Sequence, residues 1–539
     1  MERRIFIAIV VSIAVLWIWA ALAPRFFPEL AKKPAPAPAK TTTHAPAPAR
    51  PAPSPAASAV VSSAPLVPIS ASSRIDTVVN RPDFVARFSN RGAELISFKL
   101  TKYLDKDKNP VELVKSRPAT QTDFPFAIEA ENGPLAQRLN KGLWVVNVTQ
   151  DRNGAEVIEY RFAADGYTAT KTFHIGREYQ FAFSVAISPA VPYRVISGPG
   201  LRTLSPEERD SRIVVTGNGV VQRGGSFDVI NREKGDRLRI YENVDFIGIE
   251  DNYFLGVLRP QKSGGAVLRR VDMKEAGLTR KELYAGVNAA PDGTIVGSAF
   301  LGPKETKLLD RYGLASALQF GMFGIIARFL LEALIWVNTA TKNYGFAIIV
   351  LTIIIKVVLY PLQHKSIVSM KKMQKVQPKM EAIKARYKKA RTDADQRQKM
   401  NMEMMKLYQQ EGINPMGGCL PILLQLPILW GFYGLLSRAI ELRGAPFILW
   451  IHDLSDKDPY YVTPLLMTIT MFIQTWITPA TGDPTQRRMF LIMPVVFGWF
   501  FKEMPSGLVL YWLVQNILTI AQQMIMNRWW KEHPAELQQ

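Results

Sequence analysis

The sequence of 539 residues contains one cysteine, Cys419, so no disulfide bond within the chain can stabilise any of its domains. Its five histidines are scattered, and none of their spacings is typical of a metal site. The sequence has no phosphate-binding loop of the G-x-x-x-x-G-K-S/T type and no G-x-S-x-G nucleophile motif. These absences argue against a metalloenzyme, an ATP-driven machine and a serine hydrolase, and we expect neither a cofactor nor an enzymatic activity.

No acidic residue lies in the middle of an apolar run, but one of these runs contains a lysine. Lys356 lies near the middle of the apolar segment 346–361, where a charge costs about 2.5–3.5 kcal/mol to insert into a bilayer. Snorkelling to the surface is difficult from this position, and a buried ion pair would need an acidic partner that the other apolar runs do not offer. We therefore expect Lys356 to face a hydrated cavity inside the membrane.

The alternation of apolar and polar blocks divides the chain into an anchor, a linker, a soluble domain and a membrane core. The first apolar run also fits a cleaved signal peptide ending at Ala21-Leu22-Ala23, but its length of about 19 residues favours an uncleaved anchor. The predicted boundaries are an N-terminal transmembrane anchor at 1–23, an Ala/Pro-rich linker at 24–74, a β-sandwich domain at 75–313, an amphipathic interfacial helix at 314–340, a core at 341–530 and a short tail at 531–539. Within the core we predict transmembrane helices at 344–363, 418–437, 462–478, 488–502 and 507–526, and a helical hairpin at 365–411.

The soluble block has the pattern of a β-sandwich. Apolar and polar residues alternate in the segments 84–88, 143–148 and 179–185, and Gly, Asn, Asp and Pro separate such segments. Many short strands with turn signals between them predict an antiparallel sandwich. No carboxylate pair or histidine constellation stands out, so we expect a binding or spacing domain.

The distribution of positive charge predicts the topology. The whole chain has a net charge of +20, and loop 365–411 has 13 lysines and arginines against five acidic residues, a net charge of +8. The positive-inside rule places this loop in the cytoplasm. Six spans then put both termini in the cytoplasm and the sandwich outside. Because the loop lacks the interleaved aromatic residues of a stacking platform, we expect it to meet the phospholipid bilayer and the ribosome, not a specific nucleic acid.

The same loop has the periodicity of two packed helices. Apolar residues spaced by three and four predict a helical seam. Asp393 is placed to cap the second helix. The seam residues are Met373, Val376, Met380, Ile383 and Tyr387 on the first helix and Met400, Met404 and Leu407 on the second. Met370, Met402 and Met405 lie off this seam and are candidates for transient contact with apolar chains, since methionine adapts to many apolar shapes.

Polar residues recur within the predicted spans at helical spacing. Thr352, Lys356 and Gln363 share one face of the first core helix, and Gln515, Thr519 and Gln522 share one face of the last. Ordinary hydrogen bonding between helices is the alternative for any single one of these residues. Together with a lysine that has no acidic partner, they favour a hydrated cavity lined by polar faces.

Several motifs of the core resemble those of the YidC/Oxa/Alb family of membrane insertases. They are Val358-Leu-Tyr-Pro-Leu362, Asn414-Pro-Met-Gly-Gly-Cys-Leu-Pro421, Gln425-Leu-Pro427, Ala445-Pro-Phe-Ile-Leu-Trp-Ile-His-Asp-Leu454, Asp458-Pro-Tyr-Tyr461 and Pro505-Ser-Gly-Leu-Val-Leu-Tyr-Trp512. The resemblance is strong over residues 344–530, and the layout of the preceding segments is similar to that of the Gram-negative branch. It implies a polytopic α-helical protein of the bacterial inner membrane with a five-helix core, an intramembrane groove open to cytoplasm and lipid, and a periplasmic all-β supersandwich.

The resemblance also implies functional residues and partners. Lys356 stands where the family has a groove charge, familiar as arginine, and lysine keeps the charge without the planar fork. Implied or candidate groove residues are Thr352, Gln363, Gln425, Leu426, Pro427, Tyr511, Trp512, Gln515, Asn516 and Thr519. Implied partners are nascent membrane proteins, the Sec translocon with its SecDF accessory complex, and the ribosome and signal-recognition pathway. A transporter or channel that binds an anion at Lys356, and an envelope enzyme whose sandwich binds carbohydrate, are the alternatives.

Overall fold

The computed structural model describes residues 68–115, 123–203, 208, 216–233, 237–275, 278–387, 393–412, 420–478 and 484–532. The predicted anchor, the linker before residue 68, the motif residues 414–419 and the tail from residue 533 lie outside the described residues. The end of the predicted linker already belongs to the β domain, because Ile69 forms an antiparallel bridge with Ala163. The packed domain therefore begins before the predicted boundary at residue 75.

The β domain contains three antiparallel sheets, as the alternating segments predict. A four-stranded sheet has the order β1-β2-β3-β4, with β1 at Asp76–Asn80, β2 at Phe84–Ser89, β3 at Glu94–Leu104 and β4 at Pro110–Glu112. A five-stranded sheet contains β5 at Ile128–Ala130, β10 at Tyr193–Ser197, β13 at Leu238–Tyr241, β16 at Ala266–Glu275 and β17 at Leu278–Asn288, in the order β13-β16-β17-β10-β5. A nine-stranded sheet contains β6 at Val145–Gln150, β7 at Glu156–Ala164, β8 at Tyr167–Ile175, β9 at Gln180–Ser188, β11 at Thr216–Arg223, β12 at Ser226–Ile230, β14 at Phe246–Asp251, β15 at Phe254–Lys262 and β18 at Thr294–Pro303, in the order β12-β11-β14-β15-β18-β9-β8-β7-β6.

Aromatic side chains from different sheets meet in the core of this domain. Phe84 and Phe88 of β2 point inward because successive side chains of a strand alternate between its two faces. Phe88 packs against Phe173 of the nine-stranded sheet, with ring centroids 4.8 Å apart. Phe126 contacts Phe173 at 4.9 Å and Phe183 at 5.2 Å. Contacts of this kind join the sheets into a sandwich without a disulfide.

A fully buried lysine joins two loops inside the domain. Lys171 of β8 donates hydrogen bonds from Nζ to the carbonyl oxygens of Gly92 at 2.6 Å, Phe126 at 2.7 Å and Ala93 at 3.3 Å. Its ammonium also lies 5.2 Å from the centroid of the Trp144 ring. Three carbonyl groups and an aromatic face replace the hydration that this charge loses on burial.

Helices form the second half of the chain. One helix, α1 at Gly133–Lys141, lies within the β domain, and the others are α2 at Thr306–Arg311, α3 at Gly324–Thr341, α4 at Tyr344–Arg386, α5 at Ala394–Gln410, α6 at Leu420–Arg438, α7 at Val462–Ile477, α8 at Pro484–Phe501 and α9 at Ser506–Glu532. Short 3₁₀ turns lie at Ala315–Ala317 and Ile440–Leu442. Each predicted core span has a helix near its predicted position.

The first core helix differs from the prediction in its length. The prediction ended a span at residue 363 and began a separate hairpin helix, whereas α4 runs without a break for 43 residues. Pro361 and Pro378 lie inside it. A proline removes one backbone hydrogen bond and bends a helix, but the helix-forming residues that follow each proline allow it to continue. The membrane segment and the first arm of the hairpin are therefore one element.

The hairpin of α4 and α5 confirms the predicted seam. Val376, Ile383 and Leu407 are buried between the two arms, and the predicted methionines pack around them. The side chain of Asp393 accepts hydrogen bonds from the backbone nitrogens of Asp395 and Gln396 at 2.9 and 3.4 Å. Asp393 thus caps α5 as predicted.

The lengths of the apolar helices bear on the membrane assignment. Among the described helices, α3, α4 and residues 506–530 of α9 are long and apolar enough to cross a membrane, while α7 and residues 490–501 of α8 are shorter apolar helices. The 16 residues of α7 extend about 24 Å, against about 30 Å for the hydrocarbon core. The helix α3 meets the length and composition of a span, so its predicted position on the membrane surface stays a prediction.

Two glycines of α6 allow α3 and the segment before it to approach closely. A Cβ atom on Gly431 would lie 2.9 Å from Ile326, and one on Gly434 would collide with the carbonyl oxygen of Phe320. Small residues in this arrangement let the backbones of membrane helices pack against each other. Arg328 of α3 lies 3.4 Å from Asp310 of α2 and forms a salt bridge with it.

The loop between α6 and α7 is fixed to the β domain. Ile440 is buried in the hydrophobic core of that domain. Arg443 donates a hydrogen bond to the carbonyl oxygen of Leu104 at 2.9 Å, and Glu441 accepts one from the backbone nitrogen of Thr306 at 3.3 Å. Burial raises the pKa of Glu441 above its usual value. These contacts hold the end of α6 against the domain.

Replacing Lys171 with methionine should destabilise the β domain. The change keeps the apolar stem and leaves three buried carbonyl groups without their donor, which should cost about 2–3 kcal/mol. Thermal unfolding of the purified chain, followed by tryptophan fluorescence, measures the loss. Lys262→Met in the same sheet is the control, because its exposed pair with Asp292 is screened by solvent and adds little stability. Equal shifts for the two variants would contradict the role assigned to Lys171.

Candidate functional site

The candidate site lies where α4 meets α9. Lys356 is only 8% exposed, and its Nζ donates a hydrogen bond to Oγ1 of Thr519 at 2.8 Å. Within the part of the chain that the structure describes, no carboxylate forms a salt bridge with Lys356. Lys356 is therefore buried between two helices and held by a neutral hydroxyl group, and its predicted exposure to a hydrated cavity stays a prediction.

The hydroxyl group of Thr519 is oriented by its own helix. It donates to the carbonyl oxygen of Gln515 at 2.7 Å, which leaves its lone pairs available to accept from the lysine. Thr352 makes the same kind of bond to the carbonyl oxygen of Ile348, at 2.6 Å. Thr352 lies near the lysine on the same face of α4, but its donor is occupied within the helix.

A line of buried amides accompanies the lysine. Gln363 on α4 and Gln515 and Gln522 on α9 are 7%, 4% and 9% exposed. Among the described residues, Oε1 of Gln363, Oε1 of Gln515 and both amide atoms of Gln522 have no hydrogen-bond partner. We call Lys356, Thr519 and these three glutamines the polar seam. Its chemistry is one fixed cation beside several neutral donors and acceptors.

Two other amides of α9 are fully engaged with α7. Nδ2 of Asn516 donates to Oγ1 of Thr470 at 3.2 Å, and Nε2 of Gln523 donates to Oγ1 of Thr478 at 3.1 Å. These bonds attach α9 to α7 and to Thr478 directly after it, on a face of α9 about 100° from that of Gln515 and Gln522. Asn516, a candidate groove residue in the sequence analysis, thus serves the packing of helices in this structure.

An apolar cluster follows the polar seam along α4 and α9. Ile367, Met526 and Trp530 are buried together, and Nζ of Lys371 lies 5.8 Å from the centroid of the Trp530 ring. Met370, which was predicted together with Met402 and Met405 as a candidate for transient contact with apolar chains, is partly buried against this cluster. The reason is tertiary: the long α4 brings its extension against the end of α9.

Residues that the family resemblance placed in the groove lie in different environments. Tyr511 is fully buried, with its ring stacked on Phe432 at 4.4 Å and its hydroxyl group bonded to Gln425. Trp512 packs against Phe501 at 5.3 Å. Leu426 is exposed and Pro427, beside it on α6, is partly so. The structure therefore brings Gln425 and Tyr511 together but places neither beside Lys356 by a direct contact.

Two methionines of the second hairpin arm are open to solvent. Met402 and Met405 are 51% and 56% exposed and line a shallow depression of about 390 Å³ with Arg397 and Asn401. This surface combines flexible apolar side chains with a basic rim, which suits transient contact with apolar segments.

Four further polar residues of the helices were not among the predicted site residues. Gln523, Thr470 and Thr478 take part in hydrogen bonds between helices, and Ser366 is buried on α4. The adjacent pair Gln522-Gln523 in the sequence could have indicated these contacts, since two neighbouring amides on a helix point to two different faces. Which of the two would find a partner depends on α7, so spacing alone does not separate them.

Family comparisons match both halves of the chain. Residues 336–533 match the family described as 60Kd inner membrane protein, and residues 76–333 match the family described as YidC periplasmic domain. The fold and these matches define an inner-membrane protein that carries a periplasmic β domain. The chain belongs to the YidC family.

Individual relatives agree with this assignment over nearly the whole chain. The chain is 35% identical over 575 residues to a membrane protein insertase YidC of Nitratidesulfovibrio vulgaris strain DP4, covering 98% of this chain and 99% of the relative. It is 35% identical over 559 residues to the protein of the same name from Geotalea daltonii, with the same coverage of 98% and 99%. A crystal structure of an active YidC insertase with its first transmembrane domain resolved has a TM-score of 0.37 and 20% identity, covering 83% of this chain and 92% of that one. These comparisons give no support to an anion transporter.

Replacing Thr519 with valine should destabilise the helical core. Valine keeps the shape of threonine but removes the acceptor of Lys356, which would leave a buried ammonium group without its bond at a cost of about 1–3 kcal/mol. Thermal unfolding in detergent measures the effect. Thr475→Val is the matched control, because that hydroxyl group bonds only within α7, to the carbonyl oxygen of Met471. A control shift as large as that of Thr519→Val would contradict the account.

Proposed function

We propose that this chain inserts other membrane proteins into the bacterial inner membrane and helps them to fold, without nucleotide hydrolysis. The observation that carries the proposal is Lys356, a charge buried at membrane depth that has a hydroxyl group and no carboxylate as its partner among the described residues. Such a charge is costly unless a ligand uses it. The names of the relatives, membrane protein insertases, support the same reading.

The orientation that we propose follows from charge. The hairpin of α4 and α5 carries most of the basic residues of loop 365–411, and the positive-inside rule puts it in the cytoplasm. The β domain is then periplasmic, and both termini are cytoplasmic. Lys356 lies between the two sides on α4, which joins the outer end of the core to the hairpin.

The client first meets the hairpin in this proposal. Met402 and Met405 provide an exposed apolar surface at the second arm, while the seam residues keep the arms together. An emerging apolar segment of a nascent chain can contact this surface without a defined sequence. The ribosome, the signal-recognition pathway and the Sec translocon with SecDF are partners that we propose from the family alone.

The polar part of the client then enters the polar seam. A hydrophilic tail loses water on entering the membrane, and an acidic tail loses the most. The ammonium group of Lys356 offsets part of this cost through its positive field, which acts strongly in a poorly screened setting. The membrane potential adds to the outward movement of an acidic tail.

Release into lipid completes the step. Apolar side chains stay exposed along α7 and α8, among them Leu465, Trp476, Val495 and Trp499. Either the bilayer around these short helices becomes thinner or the polar ends of the helices enter the membrane. Both adjustments shorten the distance that the polar tail of the client must cross. Burial of about 20 apolar client residues at about 25 cal/mol per Å² supplies the driving force.

Loss of the charge at position 356 should impair insertion of clients with acidic tails. In a strain depleted of its own insertase, we expect Lys356→Met to lower insertion of a single-span client with an acidic tail about tenfold, the effect of about 1.4 kcal/mol. Lys356→Glu should lower insertion further, because the new carboxylate repels the acidic tail. Lys356→Arg should keep insertion near the wild-type level, because it keeps the positive charge. Protease protection of the client tail measures insertion.

The control for this experiment is Lys365→Met, which removes an exposed lysine from the same helix. It should leave insertion of the acidic client unchanged. Equal insertion by wild type, Lys356→Met and Lys356→Glu would overturn the electrostatic role of Lys356. Saturable anion flux through liposomes containing the chain, without client insertion, would overturn the proposed function itself.

A further inference from the structure

The buried amides of the helical core fall into two classes. Gln523 and Asn516 have protein partners on α7. Gln363, Gln515 and Gln522 are also more than nine-tenths buried, yet four of their amide atoms have no partner among the described residues. The difference is clearest on α9, where Gln522 and Gln523 are adjacent in sequence and have opposite hydrogen-bonding states.

A buried amide atom without a partner costs about 1–3 kcal/mol of folding free energy, so stability does not explain three such glutamines along one seam. A methionine of similar length would fill the same space without that cost. Residues that lower stability without an evident structural gain are typical of functional sites. The three glutamines therefore point to an occupant that supplies the missing hydrogen bonds.

The chemistry of the amides indicates the class of the occupant. A primary amide offers two donors and an acceptor and carries no charge. Its complement is another amide or a hydroxyl group: the peptide backbone, or the side chains of Asn, Gln, Ser and Thr. A carboxylate could only accept hydrogen bonds from the amide nitrogens. The partnerless Oε1 atoms of Gln363 and Gln515 would then face a negative charge.

The spacing of the glutamines sets the length of the site. Gln363 follows Lys356 by seven residues on α4, and Gln515 and Gln522 are seven residues apart on α9, with Thr519 between them. Seven residues of helix rise about 10 Å, which matches about three residues of an extended peptide. The apolar cluster of Ile367, Met526 and Trp530 lies beyond the glutamines and ends the polar stretch.

We propose that Gln363, Gln515 and Gln522 form an uncharged binding station for backbone amides and neutral polar side chains of the client, distinct from the site at which Lys356 acts on carboxylates. This inference rests on the proposed function and divides its polar seam into two specificities. Acidic tails depend mainly on Lys356. Neutral polar tails depend mainly on the glutamines.

The test uses the purified full-length chain in proteoliposomes and two single-span clients of equal length. One client has a tail of Asn, Gln and Ser, and the other has Asp and Glu at the same positions. The variants are Gln363→Met, Gln522→Met and their combination, with Gln522→Asn as the variant that keeps an amide. Gln523→Met is the matched control, since it removes the adjacent amide that already has a partner. Insertion and the midpoint of thermal unfolding are measured on the same preparations.

The station predicts a split between stability and function. Each of Gln363→Met and Gln522→Met should lower insertion of the neutral client about fivefold, the worth of one hydrogen bond, while changing insertion of the acidic client less than twofold. Neither of these two variants should lower the midpoint of thermal unfolding, because neither removes a hydrogen bond within the protein. Gln522→Asn should recover part of the neutral insertion. Gln523→Met should lower the midpoint and leave the ratio of the two clients unchanged.

Three results would overturn the station. Equal losses for both clients would show that the glutamines serve the general shape of the seam. Unchanged insertion of both clients would show that water alone occupies it. A lowered midpoint or failure to fold in Gln363→Met or Gln522→Met would show that the amides are structural. If the wild-type chain inserts neither client, the proposed function fails first, and that outcome is separate from the other three.

Discussion

The ammonium group of Lys356, buried between α4 and α9 against the hydroxyl group of Thr519, is the constraint on which the rest of the core depends. A charge at this depth requires a polar neighbour, and Thr519 supplies one on the facing helix. No carboxylate among the described residues forms a salt bridge with it. In the function that we propose, the charge therefore stays available to a client.

The remaining elements keep the seam in place and give a client access to it. Bonds from Asn516 and Gln523 attach α9 to α7, and the loop after α6 is held by the β domain through Ile440 and Arg443. The unbroken α4 connects the seam to the hairpin, so that a client bound at the hairpin lies on the same element as Lys356. Short apolar helices beside the seam offer a lipid-facing surface toward which an apolar segment can move.

Local periodicity made much of this fold predictable. The strands of the β domain, the seam of the hairpin and the cap at Asp393 follow from spacings of two, three and four residues, which neighbouring residues alone decide. Lys356 could be singled out from the sequence, because a single charge within an apolar run is unusual whatever the tertiary structure. Properties set by contacts between distant segments were not predictable: the continuity of α4 through Pro361, the packing of Met370 against the cluster that contains Trp530, and the choice between Gln522 and Gln523 as the amide with a partner.

The central claim is that the partner of Lys356 is a carboxylate of the client. A double-mutant cycle in proteoliposomes tests it most directly: Lys356→Met in the chain is combined with replacement of one tail aspartate of the client by asparagine, and insertion rates are measured for all four combinations. The account predicts strong non-additivity, with a coupling free energy of about 1–3 kcal/mol, because either change alone removes the same interaction. Additive effects of the two changes would contradict it.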